Sequence, residues 1–247
     1  MRYLILSDIH ANLHALDAVL ADAELQGYDA TLVLGDLVGY GADPAAVIAR
    51  TLALEPVAMV RGNHDKVCAG LEPAALFNDV ARHSIEWTAE TLSAAELRLL
   101  AELPKGPCQL TADLEICHGA PFDEDYYVFD SGDAARAIEA SQGRLCFFGH
   151  THLPALFATP EDPVLQDPDL PTEELVLPRT GPALINVGSV GQPRDGDARA
   201  AYGILDATRS ALRLRLRRVA YDVAGAQARI RGAGLPEWLA ARLERGQ

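Results

Sequence analysis

Short apolar runs alternate with longer segments of helical spacing over the first part of the chain. The runs at 3–6, 30–34 and 57–60 have the length and aliphatic character of buried strands. The first two runs are followed by segments of helical periodicity at 13–25 and 44–54. Because strands that alternate with helices in this way are typical of βαβ units, the pattern predicts a mainly parallel sheet.

The middle of the chain begins with helical periodicity and then returns to short strands. Residues 73–102 predict one or two helices, and Ser93 followed by Glu96 has the pattern of a capping box at the start of the second. Asp43 before Pro44 likewise predicts a helix start, with the aspartate as N-cap. Further strands are predicted at 108–110, 114–117 and 145–148, with a helix near 133–140.

The last third of the chain contains an unusual segment. Residues 159–182 hold six prolines and six acidic residues, which predicts an irregular acidic surface loop with one short strand at 175–177. A lid over the functional site is the alternative. Beyond this loop we expect strands at 183–187, 201–206 and 212–217, and two helices within 222–245. The strict Leu-Arg alternation at 212–217 predicts a half-buried strand with its arginines in solvent.

Length and charge narrow the class of protein. The chain has 247 residues, of which 21 are basic and 35 acidic, and its net charge is −14. A chain of this length buries a core without disulfides or a structural metal, so we expect one domain over 1–247. The acidic balance disfavours stable binding of duplex nucleic acid, because the phosphate backbone repels it. Composition leaves the oligomeric state open.

The apolar runs and the cysteines together predict a cytoplasmic protein. No apolar run approaches the roughly 18 residues of a membrane span, and the N-terminal run is too short for a signal peptide. The four cysteines have no Cys-x-x-Cys spacing, and we expect them to be reduced and mostly buried: Cys68, Cys108, Cys117 and Cys146.

Five polar motifs each follow the end of a predicted strand. They are Asp8-Ile9-His10, Gly35-Asp36, Gly62-Asn63-His64-Asp65, His118-Gly119 and Gly149-His150-Thr151-His152. Because the carboxyl ends of parallel strands meet at one edge of a sheet, these motifs are expected to line one crevice. Taken alone, each motif is compatible with an ordinary turn or a buried histidine. Their common position at strand ends indicates a shared site.

Carboxylates, an amide and imidazoles in one crevice are costly to bury unless cations lie among them. A pair of metal ions fits this donor set best, since a carboxylate such as Asp36 bridges two ions about 3.5–4 Å apart. The mixed oxygen and nitrogen donors suit Mn, Fe, Zn, Co or Ni better than Ca or Mg. Because thiolates are absent from the motifs, a structural zinc site is disfavoured.

The order of these motifs resembles the calcineurin-like metallophosphoesterase superfamily, in particular its compact bacterial branch of phosphodiesterases and diadenosine-tetraphosphatase-like proteins. The stretches 36–41 and 188–196 are similar to that branch as well. The resemblance covers nearly the whole chain. It implies a mixed α/β fold in which two packed β-sheets form a sandwich flanked by helices in four layers.

The resemblance also implies residue roles. Seven residues correspond to metal ligands: Asp8, His10 and His152 for one ion, Asn63, His118 and His150 for the other, and Asp36 between them. The two ions, with Mn expected first, activate a bridging hydroxide as the nucleophile. His64 corresponds to the histidine that contacts the substrate phosphate or protonates the leaving oxygen, oriented by Asp65.

One difference from the superfamily bears on substrate. Its protein phosphatases carry an arginine soon after the bridging aspartate, in Gly-Asp-x-x-Asp-Arg-Gly, where this chain has Tyr40 between two glycines. Arg61 and Arg194 are candidate replacements. Asn12 is a further candidate for a phosphate contact, and the N-cap of the first helix is its alternative.

We therefore expect a phosphoesterase that hydrolyses a small phosphodiester or nucleotide. A phosphomonoesterase, including a phosphoprotein phosphatase, is the alternative within enzymes. A non-catalytic protein-binding scaffold is the rival from another class, because some members of the superfamily keep the fold without the activity.

Overall fold

The computed structural model describes residues 1–158, 174–177, 180–208 and 211–247. The predicted acidic loop at 159–182 therefore lies mostly outside the described residues. No helix within the described ranges is both long and apolar enough to cross a membrane.

The described residues form eleven strands and eight α-helices. The strands are β1 (Arg2–Leu6), β2 (Ala30–Val33), β3 (Ala58–Met59), β4 (Cys108–Gln109), β5 (Leu114–Ile116), β6 (Leu145–Phe148), β7 (Ala155–Ala158), β8 (Glu174–Val176), β9 (Ala183–Asn186), β10 (Ala200–Ala207) and β11 (Leu212–Val219). The helices are α1 (Leu13–Gln26), α2 (Pro44–Leu52), α3 (Asn63–Cys68), α4 (Asp79–Thr91), α5 (Ala94–Glu102), α6 (Ser131–Ala140), α7 (Val223–Gly232) and α8 (Glu237–Ala241). Short 3₁₀ segments lie at Ala74–Leu76 and Leu243–Arg245.

Two mixed sheets organise these strands. The first has the order β3-β2-β1-β10-β11-β8, and the second has the order β4-β5-β6-β9-β7. The first three strands are parallel, as the βαβ pattern predicts, whereas β10, β11 and β8 complete that sheet in antiparallel pairs. In the second sheet, β5, β6 and β9 are parallel and the two edge strands are antiparallel. The five motifs follow the carboxyl ends of parallel strands of both sheets.

A four-layer sandwich results from the way these sheets are covered. Ile5 of β1 and Phe147 of β6 belong to one buried cluster between the two sheets. On the outer face of the first sheet, Leu4 packs with Leu16 of α1. On the outer face of the second, Phe148 packs with Ala137 of α6. The expected arrangement of two sheets flanked by helices is confirmed.

Two predicted helix starts have different outcomes. The capping box at α5 is confirmed, since the Ser93 N–H donates to Glu96 Oε2 at 2.7 Å and the Glu96 N–H donates to Ser93 Oγ at 3.3 Å. Asp43 precedes α2 as expected, but its carboxylate does not cap that helix. Arg229 of α7 donates to this carboxylate at 2.9 Å instead. The side chain that the local pattern predicts as a helix cap therefore pairs with a residue distant in the sequence.

The arginines of β11 correct the prediction of a solvent-facing row. Arg217 donates to both carboxylate oxygens of Asp22 in α1, at 2.7 and 2.9 Å, and the Tyr202 hydroxyl donates to the same carboxylate at 2.6 Å. Arg213 is exposed, as expected. Alternation along a strand separates its two faces, but it does not show that a helix such as α1 covers one of them.

The Arg217–Asp22 pair gives a stability prediction. We expect Arg217→Ala to lower the free energy of unfolding by about 1–2 kcal/mol, because it leaves a partly buried carboxylate without its main donor. Arg213→Ala, on the same face of β11, is the matched control. Because Arg213 is exposed, its replacement should lower the free energy of unfolding by about 0.5 kcal/mol or less. Urea unfolding of both variants measures the difference, and equal losses would contradict this account of the strand.

Candidate metal centre

Seven predicted ligands meet at the carboxyl ends of the parallel strands. Asp8 and His10 follow β1, Asp36 follows β2, Asn63 opens α3 after β3, His118 follows β5, and His150 and His152 follow β6. All of them except half-buried Asn63 are buried. The two sheets therefore bring together segments that are far apart in the sequence, as the sheet-edge argument predicts.

The first donor cluster consists of Asp8, His10, Asp36 and His152. One potential ligand atom from each lies within 4.8 Å of every other. His10 Nε2 is 3.0 Å from His152 Nε2, and His152 Nε2 is 3.3 Å from Asp8 Oδ1. These distances suit atoms that surround one small cation.

The second donor cluster consists of Asp36, His118 and His150, again with ligand atoms within 4.8 Å of one another. His118 Nε2 is 3.4 Å from Asp36 Oδ2 and 3.3 Å from Asn63 Oδ1. The same Asp36 oxygen is 3.5 Å from His10 Nε2 in the first cluster. Asp36 is therefore the residue that the two clusters share.

Backbone carbonyls determine which ring nitrogen of each histidine faces inward. The contacts are His10 Nδ1 to Val38 O at 3.1 Å, His118 Nδ1 to Leu34 O at 2.8 Å, His152 Nδ1 to Gln192 O at 2.6 Å, and His150 Nε2 to Asp125 O at 3.1 Å. A carbonyl only accepts, so each of these nitrogens carries the hydrogen. The opposite nitrogen of a neutral ring then presents a lone pair to the centre, which is how proteins orient metal-binding histidines.

The facing lone pairs of His10 and His152 test whether a metal ion fits. With both Nδ1 atoms donating to carbonyls, the two Nε2 atoms repel each other at 3.0 Å unless a cation or a proton lies between them. Burial lowers the pKa of both rings well below the usual value, so a proton is disfavoured. The donor set therefore fits a divalent transition metal that accepts oxygen and nitrogen ligands.

The ligands also share an uncommon backbone conformation. Five of them have a positive φ between 51° and 66°: Asp8, His10, Asp36, His150 and His152. For residues other than glycine this left-handed region costs on the order of 1 kcal/mol each, and such strain concentrates at functional sites. Sequence patterns do not reveal it, since aspartate and histidine occur in many turns.

Electrostatics at the centre follow from burial and from the shared carboxylate. Burial raises the pKa of Asp8 to about 6 and lowers that of His150 well below its usual value. Burial disfavours charge on His118 and Asp36 too, but their mutual attraction prevails. It raises the pKa of His118 to about 10 and holds that of Asp36 well below its usual range. A cation held by His118 would replace its proton, so metal binding would release protons.

His64 lies beside the centre, and its ring forms no hydrogen bond with Asp65. Its backbone N–H donates to Asp36 Oδ1 at 2.9 Å, and its ring centroid is 4.9 Å from that of His10 and 4.4 Å from that of Tyr40. Its Nδ1 is buried, and no described residue forms a hydrogen bond to it. Burial lowers the pKa of His64 to about 4, which leaves the imidazole neutral near pH 7.

The expected pairing of Asp65 with His64 is wrong. The Asp65 carboxylate accepts from the backbone N–H groups of Leu37 and Val38 at 2.9 and 3.2 Å, and from that of Gly62 at 2.9 Å. It joins the loop after Asp36 to the start of α3. Because it is the third residue of that helix, Asp65 reaches its own N-cap rather than the ring one position earlier.

The three candidate phosphate contacts differ in what they already bind. Asn12 caps α1 by accepting from Ala15 N at 3.1 Å, so the N-cap alternative describes it. Arg61 donates to both oxygens of Glu124 at 2.9 and 3.0 Å. Arg194 donates to the Gln192 side chain at 3.1 Å, and its buried Nε is unpartnered within the described ranges. Of the three, Arg194 retains a free donor next to the centre.

Aromatic side chains form part of the wall around the centre. A cleft of about 290 Å³ is lined in part by Tyr40, His64, Phe77, Tyr127 and His150. Tyr127 stacks on His150 with ring centroids 3.7 Å apart. In the sequence, two tyrosines follow soon after His118, and this pattern alone is only a weak indication of a pocket lining. An aromatic wall beside metal ligands accommodates a flat organic group.

The fold and the buried donors define the class of metallophosphoesterases. Residues 1–210 match the profile of the calcineurin-like phosphoesterase superfamily domain, and the chain belongs to this superfamily. An uncharacterized protein of Methanocaldococcus jannaschii is 34% identical over 98% of this chain and 97% of its own length.

Solved structures agree with this assignment. A metallophosphoesterase from Sphaerobacter thermophilus is 40% identical, with a TM-score of 0.84 over 100% of both chains. A hypothetical protein from Pyrococcus horikoshii has a TM-score of 0.80 at 20% identity, over 100% of this chain and 98% of that one. A putative diadenosine tetraphosphatase shares the fold at 17% identity and a TM-score of 0.53, over 89% of this chain and 94% of that one.

The facing imidazoles predict that divalent ions stabilise the protein. At a free ion concentration about 100 times the dissociation constant, binding contributes about 2.7 kcal/mol, or roughly 5–10 °C in Tm for a chain of this size. Thermal unfolding with Mn²⁺ or with a chelator measures the shift. His152→Ala should lose most of it, whereas His83→Ala, an exposed residue of α4, should keep it. An unchanged Tm in the wild type would contradict the proposed ligand set.

Proposed function

We propose that this protein is a dinuclear metal-dependent phosphoesterase that hydrolyses small phosphodiesters or nucleotides. The observation that carries the proposal is the position of Asp36, which both donor clusters share. Two divalent ions, with Mn²⁺ as the first choice among Mn, Fe, Zn, Co and Ni, supply a water of lowered pKa and offset charge on the phosphate. The protein's own contribution is to fix the ligand atoms and to exclude bulk water.

The first ion would be held by Asp8, His10 and His152, and the second by Asn63, His118 and His150. Asp36 would help to hold both ions, since its Oδ2 lies 3.5 Å from His10 Nε2 and 3.4 Å from His118 Nε2. Its other oxygen accepts a hydrogen bond from the backbone N–H of His64, which fixes the orientation of the carboxylate. The Asp36 carboxylate is therefore oriented by the same segment that carries His64, the proposed substrate contact.

His64 would contact the phosphate or the leaving oxygen. Its ring lies beside both His10 and the cleft, and its position depends on Gly39, because a Cβ at Gly39 would overlap His64 Nδ1. A neutral imidazole N–H donates a hydrogen bond to a phosphate oxygen without a prior change of protonation state. We assign a contact to a phosphate group of the substrate to Arg194, and a structural role to Asn12 and Arg61.

The cleft supports an ester with an organic group on the phosphate. Tyr127 lines it against His150 of the second donor cluster, and Phe77 lines it against His64, with ring centroids 4.7 Å apart. An aryl or nucleobase group stacks on such a surface, whereas inorganic phosphate gains nothing from it. The free, mainly buried cysteines agree with the cytoplasmic location that we propose.

Hydrolysis of bis-p-nitrophenyl phosphate and p-nitrophenyl phosphate, compared after chelation and again with added Mn²⁺, tests the proposal. We expect metal-dependent turnover with the diester cleaved faster. Faster cleavage of the monoester would favour a phosphomonoesterase. No metal-dependent turnover of either ester would favour a protein-binding scaffold.

The variant His64→Ala separates catalysis from metal binding. Removing a hydrogen-bond or proton donor from the reacting phosphate is expected to lower kcat by about 100-fold or more, while the metal content measured by elemental analysis stays as in the wild type. His83→Ala is the matched control with unchanged kcat. Wild-type diester turnover in His64→Ala would show that the assigned role is wrong.

A further inference from the structure

Two arginines beside Tyr40 have no aspartate or glutamate partner among the described residues. The guanidinium carbons of Arg194 and Arg242 lie 5.9 and 6.0 Å from the centroid of the Tyr40 ring. Arg194 donates to the Gln192 side chain and leaves a buried Nε unpartnered. Arg242 donates to the main-chain oxygen of Gln247. Both cations are therefore satisfied only in part.

This situation contrasts with the arginines nearby. The chain has 35 acidic residues against 21 basic ones, so carboxylates are abundant. Asp195, the direct neighbour of Arg194, pairs with Arg218, and Asp43 pairs with Arg229 of α7. The structure therefore supplies acidic partners to the surrounding arginines and leaves this pair without them.

The pair adjoins the proposed metal centre. The Tyr40 ring that both guanidiniums approach is 4.7 Å from the ring of His10 and 4.4 Å from that of His64. Burial lowers the pKa of Arg242 to about 10, and the charge of Arg194 acts in the same direction. Two like charges in a partly desolvated position are unfavourable unless an anion binds between or beside them.

Arg242 comes from a part of the chain beyond the superfamily match, which ends at residue 210. It lies between α8 and the following 3₁₀ segment. Leu239 and Leu243, on either side of it, are buried in a cluster with Ile230 of α7 and Ala42. This packing anchors the C-terminal segment next to Tyr40 and delivers a cation to the edge of the superfamily domain.

We propose that Arg194 and Arg242 form a second anion subsite, which binds a further phosphate group of the substrate. The inference rests on the proposed function, because the reacting phosphate would lie at the metal centre. There its charge is met by the cations that Asp8 and Asp36 help to hold. Guanidinium groups match phosphate oxygens through paired N–H donors. Preferred substrates therefore carry two or more phosphate groups, as nucleoside polyphosphates do.

Calorimetric binding of methylenediphosphonate and methylphosphonate to the Mn²⁺-loaded protein tests the subsite without turnover. We expect the wild type to bind the diphosphonate at least about tenfold more tightly. Arg242→Gln and Arg194→Gln should each reduce this preference about tenfold, and Arg242→Lys should retain part of it. Arg245→Gln removes the same charge from an exposed position of the same segment and should leave the preference unchanged. Metal content is measured after each titration, because the diphosphonate also chelates ions.

A wild-type preference in both glutamine variants would overturn the subsite. The same holds if Arg242→Gln lowers Tm but leaves the preference intact, since the arginine then has only a structural role. If Arg242→Gln does not fold, Arg194→Gln and Arg242→Lys decide the question. An arginine-dependent preference in a protein that hydrolyses no ester would support the subsite and refute the proposed function. Metal-dependent hydrolysis without the preference for the diphosphonate would support the proposed function and refute the subsite.

Discussion

The convergence of imidazole lone pairs and carboxylate oxygens at one sheet edge is the constraint on which the rest of the site depends. His10 Nε2 and His152 Nε2 face each other at 3.0 Å, and their other nitrogens are committed to carbonyls. Buried polar atoms in this arrangement are destabilising until a cation neutralises them. Folding therefore builds a site whose electrostatic balance a bound metal ion would complete.

The sandwich supplies the rigidity that such a site needs. The strands that end at the metal centre are buried on both faces. Residues with positive φ follow them and turn the chain sharply. Asp65 holds two of these turns together through backbone N–H groups. The strain at the ligands is offset by the packing of two sheets and their helices, so the stability of the core and the geometry of the site are linked.

Features of the fold and the site could be predicted from the sequence where they depend on residues that are close together in the chain. The motifs at strand ends revealed the gathering of ligands, because strand direction alone brings them to one edge. The carbonyls that orient the histidines lie between 25 and 84 residues away, and no local pattern marks a backbone atom. β7 escaped prediction because Ala155–Ala158 is short and follows a proline. The partners of Asp65 and Arg217 were missed because tertiary contacts overrode local expectations.

Asp36 is proposed to hold two metal ions at once, and the metal stoichiometry of the protein tests this role. Elemental analysis after saturation and removal of free Mn²⁺ should give two ions per chain for the wild type. Asp36→Ala should retain fewer than one, because both clusters lose a ligand at once. Asp17→Ala, which alters an exposed carboxylate paired with Arg50, should retain two. Two tightly bound ions in folded Asp36→Ala would contradict the account.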